Sequence, residues 1–458
     1  MAGTVVLARE REEELLAVGT EILELALAKG APTAEVYLED SSELSIEVRE
    51  GEVETFKRAR DRGVGLRVIG EGRLGFAYTT DFSPQGLTLL VEQALAAMAR
   101  NHPDPYLFFP APPAEGYPEL SLVDPELLQV PEEEKIALVL RMEEEARRRD
   151  TRVRTVEAAN YVDGVARVVL MNSRGIKASY ETAYCGLYAA VVAEERGDAQ
   201  TGFSLRYSRH YRELDPAAVG REAADKALRM LGAKSVATMQ VPVIFDPYIG
   251  SSFLGLLARA LTGEAVQKGK SLFAGRKGEK VGAECVTIID DGTLAGGLAS
   301  APFDGEGVAS RRTSLIEKGY LTGFLHNSYT AAKEGSTSTG NAVRGGFKST
   351  PEVAATNLYL QPGPQPPEEL WRDLDKAFYV TEVLGMHTAN PVSGDFSLGA
   401  AGILIEKGRL TVPVRGVAIA GNIAELLQDI DAVASDLTFF GSKGSPTFRV
   451  RRLTVSGM

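Results

Sequence analysis

The sequence predicts an α+β protein in two parts: a region of helices and mostly antiparallel strands, then a β-rich region that is barrel- or sandwich-like. Two observations predict this. From Glu12 to about Leu231, helical and strand periodicities alternate, and the strands are joined by tight turns rather than long crossovers. Short turns favour antiparallel pairing. Beyond Ala233–Met239 the texture changes to short β runs separated by glycine-rich turns. Such a set buries its edges best in a closed or double-layered sheet. The chain has 458 residues, enough for two or three domains with their own cores. We divide it into an N-terminal domain, 1–235, and a C-terminal domain, 236–458.

The elements follow in order. Leu15, Val18, Ile22 and Leu25 form one apolar face between Glu12 and Lys29, and Gly30 and Pro32 stop that helix. In ELSIEVREGEVETF, Leu44, Ile46 and Val48 alternate with polar residues, so the stretch reads as a half-buried strand that turns at Glu50-Gly51. Gly63–Asp81 reads as a second hairpin with its tip at Gly70–Gly72. Ser83 and Pro84 have the chemistry of an N-cap and first helical residue, starting a helix to about Arg100. Residues 103–118 are proline-rich and form an extended link, pinned by Phe108 and Phe109. A helix from Pro131 to Arg149, strands over Thr155–Val192 with a turn at Met171–Gly175, and a helix over Asp215–Leu231 complete the domain. No strong internal repeat is visible. In the second domain ECVTIIDDG and ATNLYLQPG read as strands, and Ala400–Asn422 as a hairpin turned at Glu406–Gly408, then a further strand.

Composition narrows the function. A net charge of -12 excludes a broad nucleic-acid surface, which needs concentrated lysine and arginine. The densest basic run, RRRDTRVR at Arg147–Arg154, reads as a helix end followed by an exposed strand. No apolar run approaches the roughly 20 residues of a membrane span. The N-terminus lacks a signal-peptide pattern. Cys185 and Cys285 have no CxxC partner and read as buried free thiols in strands. Together these point to a cytoplasmic protein.

Motifs for known chemistries are sparse. His102, His210, His326 and His387 are scattered, so no local zinc pair exists. Gly263–Ser271 resembles a phosphate loop but has one residue too many between its glycines, and a helix precedes it. There is no GxSxG elbow. Asp304 and Glu306, in PFDGEGVASRRTSLIEKG, form either an acidic turn tied by Arg311 and Arg312 or the polar wall of a cleft. Asn341 and Arg344, in STGNAVRGG, belong to a tight turn or to a loop that lets a peptide backbone approach. His387 lies in a loop able to face a cleft. These five are the candidate peptide-channel residues.

The stretches GLASAPFDGEGV, LIEKGYLTGFLHNSYTA, STGN and VSGDFSLGAAGILIEKGRLTVPVRGVAIAGN, with the apolar helix SFLGLLARALTG, resemble the TldD/PmbA family, known as modulators of DNA gyrase and as metallopeptidase subunits. The resemblance implies a bilobed fold with an α/β N-terminal lobe and a β-rich C-terminal lobe. The family's catalytic branch binds metal through HExxxH on this helix and a late cysteine. Here those positions hold Leu254, Gly255 and Arg259, and Asp436–Val450 contains no cysteine. The resemblance is therefore to the PmbA, or TldE, branch. It implies no catalytic residue and no metal or other cofactor in this chain, with metal in a TldD-like catalytic partner. The implied role is that of a subunit of a heterodimeric protease that helps hold unfolded peptides. The alternatives are a stand-alone homodimer that binds peptides, and a peptidase with a relocated metal site using His326 or His387.

Overall fold

The computed structural model describes the backbone of residues 2–457 and the side chains of residues 12–457. The N-terminal region is an αβββα unit used twice. The first unit is α1 (Ala2–Ala28), β1 (Thr33–Arg49), β2 (Glu52–Gly70), β3 (Arg73–Thr79) and α2 (Pro84–Arg100). The second is α3 (Glu132–Arg148), β4 (Val153–Asn172), β5 (Lys177–Glu195), β6 (Asp198–Ser208) and α4 (Pro216–Arg229). All six strands form one antiparallel sheet in the order β3-β2-β1-β4-β5-β6. β1 and β4 meet at its centre, so an approximate twofold relates the units. The repeat is hidden in the residues because the order of elements recurs while the side chains do not.

Local chemistry explains the turns and starts. Glu50 and Gly51, with φ of 56° and 81°, turn β1 into β2, as the hairpin reading requires. Ser83 accepts from the Gly86 N–H, and Pro84 opens α2. The four helices all pack on one face of the sheet. α1 and α2 bury Val36, Leu38, Val64 and Leu66, and α3 and α4 bury Leu44, Ile46, Val48 and Tyr161. The alternate residues of the same strands, Glu35, Tyr37 and Glu39 among them, face the other way. The sheet curls into a half-barrel with helices outside and this second face inside.

The C-terminal lobe begins with β7 (Met239–Phe245), α5 (Pro247–Ala260) and α6 (Gly263–Gln267). Next come β8 (Ile288–Asp291), β9 (Arg312–Glu317), β10 (Tyr320–Leu321), α7 (Ser328–Glu334), β11 (Ala342–Val343), β12 (Glu352–Val353) and β13 (Leu358–Leu360). β14 (Lys376–Leu384), β15 (Asp395–Glu406), β16 (Arg409–Asn422), α8 (Ile423–Asp429), β17 (Ile430–Val433), β18 (Thr438–Phe440), β19 (Lys443–Ser445) and β20 (Phe448–Ser456) finish it. β16, β15, β14, β7 and β20 form a barrel, closed where Ala418 and Ile419 of β16 pair with Ser456 and Val455 of β20. A second sheet runs β10-β9-β8-β13-β19-β18. α5 lies between the two, burying Phe253 and Leu257 against Phe245 and Phe378 of the barrel and Ile288 and Leu358 of the sheet. The bilobed α+β architecture is thus the observed one, and the closed barrel answers the barrel-or-sandwich question.

Three local readings change. Cys285 is exposed and precedes β8 rather than lying in a strand, while Cys185 is buried in β5. In the proline-rich link only Phe109 is buried, beneath the Arg67 guanidinium; Phe108 is exposed. The strand after Glu406–Gly408 is one continuous β16, bent at Gly416, whose φ is 66°.

α2 packs so closely on β3 that a Cβ at Gly75 would collide with the Ala94 carbonyl oxygen and crowd Met98. Gly75→Ala is expected to destabilise the fold by about 1–3 kcal/mol, measured by urea unfolding. A loss under 0.5 kcal/mol would show that α2 shifts freely on the sheet.

Candidate functional site

α5 is the helix on which the metal motif would stand. Asp246 caps it by accepting from the Tyr248 N–H, and Pro247 opens it. Leu254 points into the apolar core, beside a cavity of about 20 Å³ shared with Ile288, Leu360, Ile423 and Leu426. Gly255 has open space where a side chain would stand. Arg259 is exposed. Five residues along a helix turn by roughly 140°, so Leu254 and Arg259 face different surroundings, one dry and one wet. A metal does not fit this set: there is no ligand atom at the first two positions, and the third is a fixed cation.

The histidines stay apart. His102 and His387 are exposed, the latter on a short turn at Met386–Thr388. His210 is 4.0 Å from Asp124. His326 is buried between Thr330 Oγ1 and Glu334 Oε2, each at 3.3 Å, and burial lowers its pKa despite Glu334. Among the described residues no three His, Cys, Asp or Glu side chains gather as metal ligands.

The other four channel candidates come together, but as a buried joint between the lobes. Asp304 accepts from the backbone N–H groups of Glu306, Val308 and Ala342 at 2.9–3.0 Å. Glu306 accepts from Ser328 N–H at 2.8 Å and lies 3.5 Å from Arg67. Asn341 donates to Asp290 and to the Ala354 carbonyl. Arg344 donates to the carbonyls of Gly305 and Ser349 and to Glu35. Arg67 closes the cluster with a bidentate pair to Glu35, both bonds 2.8 Å. Arg311 and Arg312, offered as the tie for the acidic turn, are exposed instead; Arg67 and Arg344 provide it.

Glu35 and Arg67 were not singled out from the sequence. The available signal is a charged residue between apolar neighbours in each of two strands, Ala34-Glu35-Val36 and Leu66-Arg67-Val68, which register places directly opposite one another. Burial works against the Glu35 carboxylate, but Arg67 and Arg344 outweigh it and hold its pKa below the ordinary value. Burial and the neighbouring Glu306 carboxylate push Asp304 up to about 7. A second joint is Arg209, almost wholly buried, which donates to the carbonyls of Leu122, Ala183, Gly297, Leu298 and Ser300 and to Thr182 Oγ1. It has carbonyl dipoles in place of a carboxylate, and burial lowers its pKa.

Beyond these joints the inner face of the half-barrel stays open. A groove of about 360 Å³ lies across β1, β2, β4 and β5. Its floor is two cross-strand rows. Ala59, Glu43, Gly164 and Tyr184 make one, and Asp61, Ser41, Ala166 and Thr182 the other. Gly164 leaves room for the Tyr184 ring, which a Cβ there would meet at 2.5 Å. The Tyr184 hydroxyl donates to Glu43 at 3.0 Å. The next row, Gly63 and Glu39, is roofed by Phe347 from the other lobe, whose ring occupies the space a Gly63 side chain would fill.

A half-barrel lobe is docked on a closed-barrel lobe, part of its inner face is open, and α5 is packed between the barrel and the second sheet. Family models described as PmbA/TldA metallopeptidase domain 1, central domain and C-terminal domain match residues 34–98, 125–231 and 238–457. The chain belongs to the TldD/PmbA metallopeptidase family. Metalloprotease PmbA of Escherichia coli O157:H7 is 32% identical over 424 residues, covering 91% of this chain and 90% of that protein. A crystal structure from Thermotoga maritima, described as a candidate modulator of a DNA gyrase, superposes with TM-score 0.89 at 28% identity, covering 96% of this chain and 99% of that one. TldE from Thermococcus kodakarensis shares the fold, with TM-score 0.88 at 24% identity over 97% and 99% of the two chains.

Asp304 gives the joint a pH signature. Its folded pKa, about 7, lies above the ordinary 3.8, so between these values the folded state holds the extra proton. Stability contributed by this group therefore falls as pH rises through that window. Asp304→Asn is expected to flatten the fall, read as urea midpoints from pH 4 to pH 7. An unchanged slope would place the titration elsewhere.

Proposed function

We propose that this chain is a PmbA/TldE-like subunit of a TldD-type metalloprotease and helps to hold unfolded or flexible peptides without cleaving them. The observation that carries the reading is the state of α5: Leu254 is core packing, Gly255 has no side chain and Arg259 faces solvent. A TldD-like partner would supply the metal and the water it activates. Two features of this chain suit a peptide. The groove on the inner face has a floor of Ser41, Ala59, Gly164, Ala166 and Thr182, with Glu43 and Tyr184 beside it. β3 pairs only with Val64–Gly70, so the outer edge of β2 from Glu52 to Gly63 has no strand partner among the described residues. Such an edge offers main-chain hydrogen bonds that tolerate any sequence. We place the complex in the cytoplasm, on the composition and the two unpaired cysteines. A homodimer that binds peptides alone is the second reading, favoured by the same groove.

The test is to assay degradation of an unfolded protein by this chain alone and together with a TldD-type partner. Chelator-sensitive cleavage is expected only from the pair. Cleavage by this chain alone would overturn the proposal, and a native complex containing only this chain would favour the homodimer.

A companion experiment restores the motif with Leu254→His, Gly255→Glu and Arg259→His. Because position 254 faces the apolar core, the triple variant is expected to be destabilised by about 2–5 kcal/mol and to bind no stoichiometric zinc by metal analysis. Stoichiometric zinc in a folded variant would show that α5 can rotate its ligand face outward.

A further inference from the structure

We infer that the uncovered edge of β2 is a self-association surface, where a second copy of this chain pairs its own β2 antiparallel to the first. The inference concerns assembly and goes beyond the peptide-holding role. It stands whether or not a TldD-type subunit joins the complex.

The edge stands out by its exposure. A strand packed on one face buries alternate residues, and β1 does so with Leu44, Ile46 and Val48. Across from them every residue of β2 from Glu52 to Asp61 is exposed, Val53 and Phe56 included. β3 covers only Val64–Gly70. The second αβββα unit provides a comparison. There the corresponding stretch of β5 lies before Cys185, where the pairing with β6 ends. It is covered by other means: the Ala183 N–H donates to the Leu122 carbonyl at 2.9 Å, and Arg209 donates to the Ala183 carbonyl at 3.0 Å. Among the described residues β2 has no such cover from Glu52 to Asp61. A long open edge that carries an exposed aromatic side chain is a template for a strand from another chain.

The charges on the edge select the occupant. The strand opens with Glu52 and Glu54 and continues with Lys57, Arg58 and Arg60. Turned antiparallel about Phe56, a second β2 sets Glu54 against Arg58 and brings Glu52 towards Arg60, each pair occurring twice by symmetry. The two Phe56 rings then stand side by side at the axis, and Thr55 meets Lys57, so no like charges are opposed. β2 has one extra residue relative to β1 at Glu54, which limits the regular pairing to Glu54–Arg58. Within the chain Glu54 lies 3.4 Å from Arg49 and Arg58 lies 2.7 Å from Glu132, all about half exposed. Such pairs leave lone pairs and N–H groups for a second partner. A peptide of arbitrary sequence gains the same main-chain bonds without the reciprocal charges. The pairing joins two six-stranded sheets into one and leaves the groove to the peptide.

The test is sedimentation equilibrium of the full chain alone, beside the variants Arg58→Glu and Glu54→Lys. The unaltered chain is expected to dimerise. Each variant opposes like charges twice and is expected to dimerise about tenfold more weakly. An equimolar mixture of the two variants restores opposite charges in both pairs, so its affinity returns to that of the unaltered chain. In a Cys285→Ser background, Phe56→Cys is expected to crosslink between copies with a short bismaleimide, and Leu89→Cys, on the exposed side of α2, is not. The crosslink alone decides should a charge variant fail to fold by its urea midpoint. A monomeric chain, or a dimer as tight in the variants as in the unaltered chain, overturns the inference. A monomer in which an unstructured peptide shields Phe56→Cys from labelling overturns it as well and gives the edge to the peptide. Neither result touches the pairing with a TldD-type subunit, which the cleavage assay decides by itself.

Discussion

Everything in this molecule hangs on a buried cluster of four charges, Glu35, Arg67, Glu306 and Arg344, two from each lobe. Moving an ion out of water costs several kcal/mol even after relaxation. Such a cluster is tolerated only where each charge meets an opposite charge and each remaining donor meets an acceptor. Here the cross-strand register puts Arg67 opposite Glu35, and the C-terminal loop brings Arg344 onto the same carboxylate while its Nε bonds Gly305. The pattern is satisfied in one docking geometry. A lobe rotated by a few ångströms would strand at least one buried charge, so the cluster fixes orientation more than it adds stability.

That orientation decides which part of the inner face stays open. Phe347 is three residues from Arg344, and its ring fills the notch at Gly63. Arg209 does the same work on the other side, binding loop carbonyls of the C-terminal lobe from a position at the end of β6. Between these anchors the C-terminal lobe covers the rows at Glu35, Tyr37 and Glu39, and leaves those at Ser41 and Glu43 uncovered. Gly63 and Gly164 are both needed for this: one admits a ring from the other lobe, the other a ring from the neighbouring strand.

Much of the fold was legible because its signals are local. Ser83-Pro84, Glu50-Gly51 and the alternation of Leu44, Ile46 and Val48 each act within a few residues, and the elements they predict are the ones observed. The site was legible only in part. Asp304, Glu306, Asn341 and Arg344 are polar residues in glycine-rich loops, a pattern shared by cleft walls and by buried joints. Which of the two applies depends on Glu35 and Arg67, more than 230 positions away in sequence, and on strand register. Cys285 looked buried because a β-like run surrounds it, yet the strand starts at Ile288. The groove was invisible for the same reason as the repeat: it is made by rows across strands, and a row leaves no trace along any one strand.

The same logic sharpens the meaning of α5. A helix that carries metal ligands must keep one face wet and polar, which weakens its packing. On α5 the face that carries Leu254 belongs to the core: Leu254 joins Phe253 and Leu257 in the layer between the barrel and the second sheet. The exposed Arg259 is the lesser obstacle to a metal here, since a surface cation is free to move aside; the buried Leu254 has no such freedom. The joint between the lobes holds the family's scaffold in one geometry, and the surface which that joint leaves open is where the peptide-holding role proposed above is to be tested.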